Sequence, residues 1–201
     1  MCSPEMREYY DRRAAEYDDW YLGAGLHAPR DRPGWDDELA LLEQTVVALP
    51  PARVLDVACG TGFLTRHLRG HVVGVDQSPR MLAIARERVP RATFIEGDAV
   101  ALPVPNGSFD RLFTGHFYGH LLPEERQRFR VEAARVAREL VVVDSALRDE
   151  VEAEEWQERV LEDGSRHQVY KRYFTGEGLA SELGGDVLLS GRWFVAVRSS
   201  L

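Results

Sequence analysis

The sequence predicts an α/β fold: a doubly wound, mostly parallel sheet of about seven strands with an antiparallel C-terminal strand, in three α/β/α layers. Three observations predict it. Short apolar runs alternate with helix-like stretches between residues 53 and 146. These runs are apolar along most of their length, as in strands covered on both faces. The last stretch, DVLLSGRWFVAVRS (186–199), holds two strand-like runs too close together for a parallel crossover, so one strand there runs antiparallel.

The elements follow in order. Residues 7–22 read as a helix carrying Tyr10, Tyr17 and Tyr21, and DRPG at 31–34 breaks the chain. Residues 35–48 read as an amphipathic helix, with Leu39, Leu42 and Val46 at helical spacing, ended by LPPA. RVLDVA (53–58) is the first strand, 62–69 a helix stopped by Gly70, and HVVGVD (71–76) the second strand. Ser78-Pro79 is a helix opening, with Met81, Leu82, Ala85 and Val89 as its buried face. ATFIEGDA (92–99) and FDRLFTG (109–115) are the third and fourth strands. A helix at 123–139 leads into the fifth strand, LVVVDSA (140–146). Residues 150–164 read as a helix, RHQVYKRYF (166–174) as extended chain, and 176–184 as a short helix opened by Thr175.

The 201 residues suffice for one packed domain, with 1–34 as an N-terminal lid region and 150–174 as an insertion on the substrate side. Thirty-three acidic against 25 basic residues give a net charge of −8, without the broad positive field that grips nucleic acid. A small-molecule partner is expected, and neither nucleic acid nor membrane. The chain shows no apolar run long enough to span a bilayer and no signal-peptide core, so the expected location is cytoplasmic, as monomer or homodimer. Cys2 and Cys59 make no disulfide framework; Cys59 reads as a small turn residue and Cys2 as a terminal thiol.

VLDVACGTGFLTRHL (54–68) carries the chemistry. Glycine weakens both strand and helix, so Gly60 and Gly62 between the two imply a close approach to the backbone. In open α/β sheets, ligands bind beyond the carboxyl ends of the strands, where helix starts offer free N–H groups. Asp76 closes the second strand and suits the two hydroxyls of a ribose. Asp98-Ala99 ends the third and suits an adenine edge. Asp56 ahead of the turn would repel a pyrophosphate and suits an ammonium, which favours an adenosine with an amino-acid tail over a dinucleotide.

VLDVACGTG, GVDQSPRML and EGDAVALPVPNGSFDRLF resemble, in order and spacing, the motifs of the class I S-adenosylmethionine-dependent methyltransferases, small-molecule (type 11) branch, over roughly residues 10–146. The resemblance implies a Rossmann-like fold and S-adenosylmethionine as cofactor. It implies that Asp56, Ala58, Gly60 and Gly62 surround the methionine part, and that Asp76 holds the ribose. Gln77 and Met81 would pack at ribose and adenine, Asp98 and Ala99 at adenine, and Thr114 to His116 would face the sulfonium. Tyr17 and Tyr10 would reach the cofactor from a lid helix. Ala58 stands where the family most often has the first glycine.

His116 and His120, in TGHFYGHLLPEE, are the candidate general bases, because histidine titrates near neutrality. The plainer reading is that they pack on the cofactor and brace the loop. Their i, i+4 spacing also invites a metal, but no third ligand accompanies them, so no metal is assigned. Tyr118 and Asp144 are secondary candidates. Trp20, Trp35, Trp156, His167, Tyr170, Lys171, Arg172 and Tyr173 are the substrate-rim candidates, with Lys171 and Arg172 suited to an anionic group. The expected function is methyl transfer to an O, N or C nucleophile of a small molecule. The alternative is a non-catalytic sensor or scaffold binding the same cofactor or its demethylated product.

Overall fold

The computed structural model describes residues 4–201; Cys2 lies outside them. The chain runs α1 (Pro4–Arg13), α2 (Asp19–Leu22), α3 (Trp35–Ala48), β1 (Ala52–Val57), β2 (Gly70–Asp76), α4 (Pro79–Arg88), β3 (Thr93–Glu96), β4 (Arg111–Gly115), α5 (Pro123–Val136) and β5 (Glu139–Ser145). It continues with β6 (Glu154–Val160), β7 (Arg166–Arg172), α6 (Gly176–Leu183), β8 (Gly185–Ser190) and β9 (Phe194–Ser200).

Seven strands form one sheet in the order β3-β2-β1-β4-β5-β9-β8. All neighbours are parallel except at β9, which is antiparallel to both β5 and β8. The strand order reverses between β1 and β4, which places the ligand crevice at the carboxyl ends of those two strands.

Side-chain alternation builds the core. Leu140 and Val142 of β5 face one layer with Leu55, Leu112, Phe129 and Leu179, while Val141 and Val143 face the other with Leu42, Val54, Phe113 and Phe194. An apolar LVVV run is therefore needed, since both faces of β5 are covered by helices. Each such side chain contributes about 1.5–3 kcal/mol on burial. Truncating the fully buried Phe113 to alanine is a loss of about 3–5 kcal/mol.

Three expected elements differ. Residues 62–69 do not form a full helix: a single 3₁₀ turn, Thr65–His67, follows the glycines, and β2 already begins at Gly70. At Gly70 φ is +100° and a Cβ would lie 2.2 Å from the Ala52 carbonyl oxygen, so the chain must turn into the sheet there. The expected helix at 150–164 is the strand β6. It pairs with β7 in unbroken antiparallel register, from Glu154 opposite Arg172 to Val160 opposite Arg166. Glu, Gln and Arg favour helices locally, but Glu155, Gln157 and Arg159 are half-buried between exposed neighbours, a two-residue period that strand pairing enforces. The third difference lies at 7–22, where the expected helix breaks after Arg13 into a 3₁₀ turn and α2, which Gly23 ends at φ +64°.

Candidate functional site

The carboxyl ends of β1, β2, β3 and β4 open onto a cavity of about 270 Å³. Ala58, Gly60, Asp76, Gln77, Met81, Asp98, Ala99, His116, Tyr10 and Tyr17 line it. The turn after β1 reaches it in unusual backbone conformations, with φ +57° at Ala58, +54° at Gly60 and +76° at Gly62. Gly60 lies beneath the Tyr17 ring. Gly62 faces the other way, where a Cβ would stand 3.3 Å from that of Ala85, so its role is the close packing of the turn on α4.

The turn's backbone is tied to the acids. Asp76 accepts from the Gly60 and Ser78 amides, each at 2.9 Å, one on each carboxylate oxygen. Burial raises its pKa, opposed by those amide bonds. A carboxylate has about four acceptor sites, so Asp76 retains capacity for further donors on the cavity side. Asp56 lies deeper, outside the cavity wall, accepting from the Thr65 hydroxyl at 2.5 Å. Burial pushes it up to about 7, against the pull of that hydrogen bond. Asp98 accepts from the Val100 amide at 3.1 Å, which shapes the end of the third strand. Thr114 is fully buried and donates to the Val57 carbonyl at 2.8 Å; it ties β4 to β1 and lines neither cavity described here.

The N-terminal segment covers the turn through polar contacts that its sequence did not advertise. Asp18 accepts from the Thr61 hydroxyl at 2.6 Å and pairs with Arg88 of α4. Asp11 takes the Ser78 hydroxyl. The hairpin β6–β7 closes the other side, where Val169 and Leu161 pack against Tyr9.

A second, larger cavity of about 1230 Å³ lies between α1, the 20–35 segment and the hairpin. Trp20, Trp35, Trp156, Lys171 and Tyr173 line it, as do Arg13, Arg148 and Arg159, which sequence reasoning did not single out. Of the other rim candidates, Tyr170 lines the small cavity. His167 packs on the Tyr9 ring, and Arg172 pairs with Glu154 and Glu182.

Tyr10, Tyr17, His116, His120 and Trp156 line both cavities, so the two meet at these side chains. His116 has φ +55° and is 8% exposed, and neither ring nitrogen has a hydrogen-bond partner. Burial lowers its pKa to about 3, opposed by the Asp144 carboxylate. His120 Nδ1 lies 2.7 Å from the Tyr170 carbonyl, which makes Nδ1–H the donor and leaves Nε2 with the lone pair. Burial and then the Lys171 charge hold its pKa well below the usual histidine value. Asp144 binds Lys171, at 2.6 Å, and the Gly119 amide, at 2.7 Å. Tyr118 donates to Glu182 at 2.7 Å. Among the described residues no group of three or more His, Cys, Asp or Glu is arranged to hold a metal.

Residues 54–139 match the family described as "Methyltransferase domain". The fold is shared with DhpI solved in complex with SAH, at a TM-score of 0.73 and 24% identity, over 96% of this chain and 93% of that one. The DhpI-SAM-HEP complex superposes at 0.71 and 25% identity, covering 96% and 94%. The chain has a Rossmann-like α/β methyltransferase fold, and the methyltransferase-domain match lies on residues 54–139 of it. Among curated relatives, the demethylmenaquinone methyltransferase of Thermus thermophilus is 46% identical over 69 residues, 30% of this chain and 31% of that protein. An uncharacterized methyltransferase of Bacillus velezensis is 28% identical over 78% of this chain and 74% of its own length. The match to the Thermus protein thus spans about a third of that relative. The small cavity brings together a glycine turn, a carboxylate with acceptor sites left and a buried histidine with two orphaned nitrogens.

Proposed function

We propose that this chain transfers a methyl group from S-adenosylmethionine to a small-molecule acceptor held in the larger cavity. The observation that carries the reading is the meeting of the two cavities at His116 and His120. S-adenosylmethionine, bound, supplies an activated methyl on a sulfonium; the chain's own residues supply position, solvent exclusion and a proton acceptor.

Asp76 would take the ribose hydroxyls, with Gln77 and Met81 beside it. Asp98 and Ala99 would take adenine, and the Ala58–Gly60 backbone and Tyr17 the methionine part. Asp56, behind the turn, would lie near the tail's ammonium, whose charge would favour ionisation of its carboxyl. His120 is the better-placed base of the pair, because the Tyr170 carbonyl fixes its tautomer and leaves Nε2 to take a proton from the acceptor. His116 packs edge-on to Trp20 and shapes the junction. A large second cavity favours an enzyme over a sensor, which needs no room for an acceptor. The relatives named for quinones match over too little of their length to choose the acceptor.

The test has two steps. Calorimetry should show one S-adenosylhomocysteine bound per chain, and tritiated methyl donor should then label at least one member of a metabolite panel. Donor-product binding with no labelling of any compound would favour the sensor reading; no binding would end both.

A further inference from the structure

The chain as a whole is acidic, yet its larger cavity gathers cations. We propose that the acceptor carries an acid group, a carboxylate or a phosphate, held between Arg13, Arg159 and Lys171. The inference rests on the methyl-transfer reading for the word acceptor, but the anion site stands on its own geometry.

Arg13 is the decisive residue. It is 9% exposed, and among the described residues its only side-chain hydrogen bond is Nη1 to the Tyr9 hydroxyl at 3.1 Å. Its guanidinium lies 4.8 Å from the Tyr17 ring centroid, and among the described residues no carboxylate comes within ion-pair distance. A guanidinium has five N–H donors, and a buried charge without a counter-ion is costly. Among the described residues Arg159 likewise donates only to Gln157, at 3.0 Å, and has no carboxylate within ion-pair distance. Lys171 is 3% exposed and its ammonium is bonded to Asp144, whose carboxylate is shared with the Gly119 and Ser145 amides. Among the described residues Asp144 is the one acceptor the ammonium meets, against three donors.

All three cations line the larger cavity, and their charges all bear on His120. Arg13 and Arg159 also both bear on Tyr10 and His27, and the buried His27 Nδ1 has no partner either. Each of the cavity's half-buried acids has a partner, though the Arg13 charge also bears on Glu16. Glu150 pairs with Arg192 and Glu158 with Arg166, Glu155 takes Gln157, and Glu16 takes the Glu162 amide. Only the exposed Asp31 remains. Arginine forks match planar carboxylates and phosphates, and a point-charged ammonium suits either.

The experiment titrates benzoate, phenyl phosphate and neutral benzamide into the full chain, with and without saturating S-adenosylhomocysteine, by calorimetry. The expected result is that at least one of the two acids binds at least tenfold tighter than benzamide, and which acid binds distinguishes the two sources. Arg159→Gln should weaken that acid at least tenfold while S-adenosylhomocysteine affinity stays within twofold; Arg13→Lys, which keeps the charge but loses the fork, should weaken it less than Arg13→Gln. Benzamide binding as tightly as both acids, or no binding of any, overturns the proposal. So does an Arg159→Gln variant that retains acid affinity. A variant series that moves only S-adenosylhomocysteine affinity assigns these cations to the donor and also overturns it. Failure of the donor product itself to bind would count against the methyl-transfer reading and leave the acid-binding result legible.

Discussion

Lys171 Nζ stands 2.6 Å from Asp144 Oδ1, with both side chains buried and Lys171 lining the larger cavity. Burial lowers the lysine's pKa despite the partner. Breaking such a pair leaves one uncompensated charge, at a cost of about 3–5 kcal/mol. Asp144→Asn should therefore destabilise by that amount in urea titration, because it also weakens the acceptor for the Gly119 and Ser145 amides. A loss below about 1 kcal/mol would show that the pair is solvated.

Ala58 holds φ +57°, a conformation that costs an L-residue roughly 1–2 kcal/mol. Glycine removes that strain but adds about 0.5–1 kcal/mol of unfolded-chain entropy. Ala58→Gly should be neutral to stabilising by up to ~1 kcal/mol, read by the denaturation midpoint. A clearly destabilised variant would mean that the methyl group packs against the cavity wall more strongly than the strain opposes it.

Asp76 already accepts two backbone amides, so its substitution disturbs both turn and ligand. Asp76→Ala should weaken S-adenosylhomocysteine by about 1–3 kcal/mol, through ribose hydroxyls left unpaired. Unchanged affinity in calorimetry would take Asp76 out of the donor site.

Two buried groups predict opposite pH limbs. Asp56 is raised from 3.8 to about 7, so the fold favours its protonated form. Its stabilising contribution is complete below the unfolded value and is lost as pH rises through about 7. His116 is lowered from 6.5 to about 3, so the fold favours the neutral ring. That contribution is present above the unfolded value and is lost as pH falls from there toward about 3. Ligand-free stability should peak between these limits, near mildly acidic pH. Urea titrations at several pH values should show Asp56→Asn flattening the alkaline limb; an unaltered limb would assign it to other groups.

Burial also bears on the proposed proton transfer. Both His116 and His120 are neutral at pH 7. If His120 accepts the proton, kcat/KM should show no acid limb between pH 6 and 7, and His120→Ala should lower the rate by roughly 10²–10⁴-fold. A limb at ordinary histidine values that disappears in His120→Ala would show the ring to be far less buried than the structure has it.

The doubly wound core was legible because LVVV, VLDV and the short apolar runs between helices have one physical reading, strands covered on both faces. The small cavity followed from Gly60, Asp76 and Asp98, each fixed to a strand end by local pattern. Legibility failed where tertiary pairing overrode composition. EEWQERV is built of helix formers, yet the Glu162-Asp163-Gly164 turn and the alternating RHQVYKR beyond it fold it back as β6. That hairpin and the break after Arg13 bring Arg13 and Arg159, far apart in sequence, to one cavity, and no local spacing encodes their meeting. Thr114 shows a further limit: position at a strand end does not say which way a side chain points, and it points into the sheet.

The most direct measurement uses S-adenosylmethionine carrying a ¹³C-labelled methyl, bound to the protein in solution, with nuclear Overhauser contacts read from that methyl and from adenine. The account predicts methyl contacts to the His116 and His120 rings, together with adenine contacts to Met81 and Ala99. Adenine contacts elsewhere, or a methyl that touches neither histidine, would contradict it.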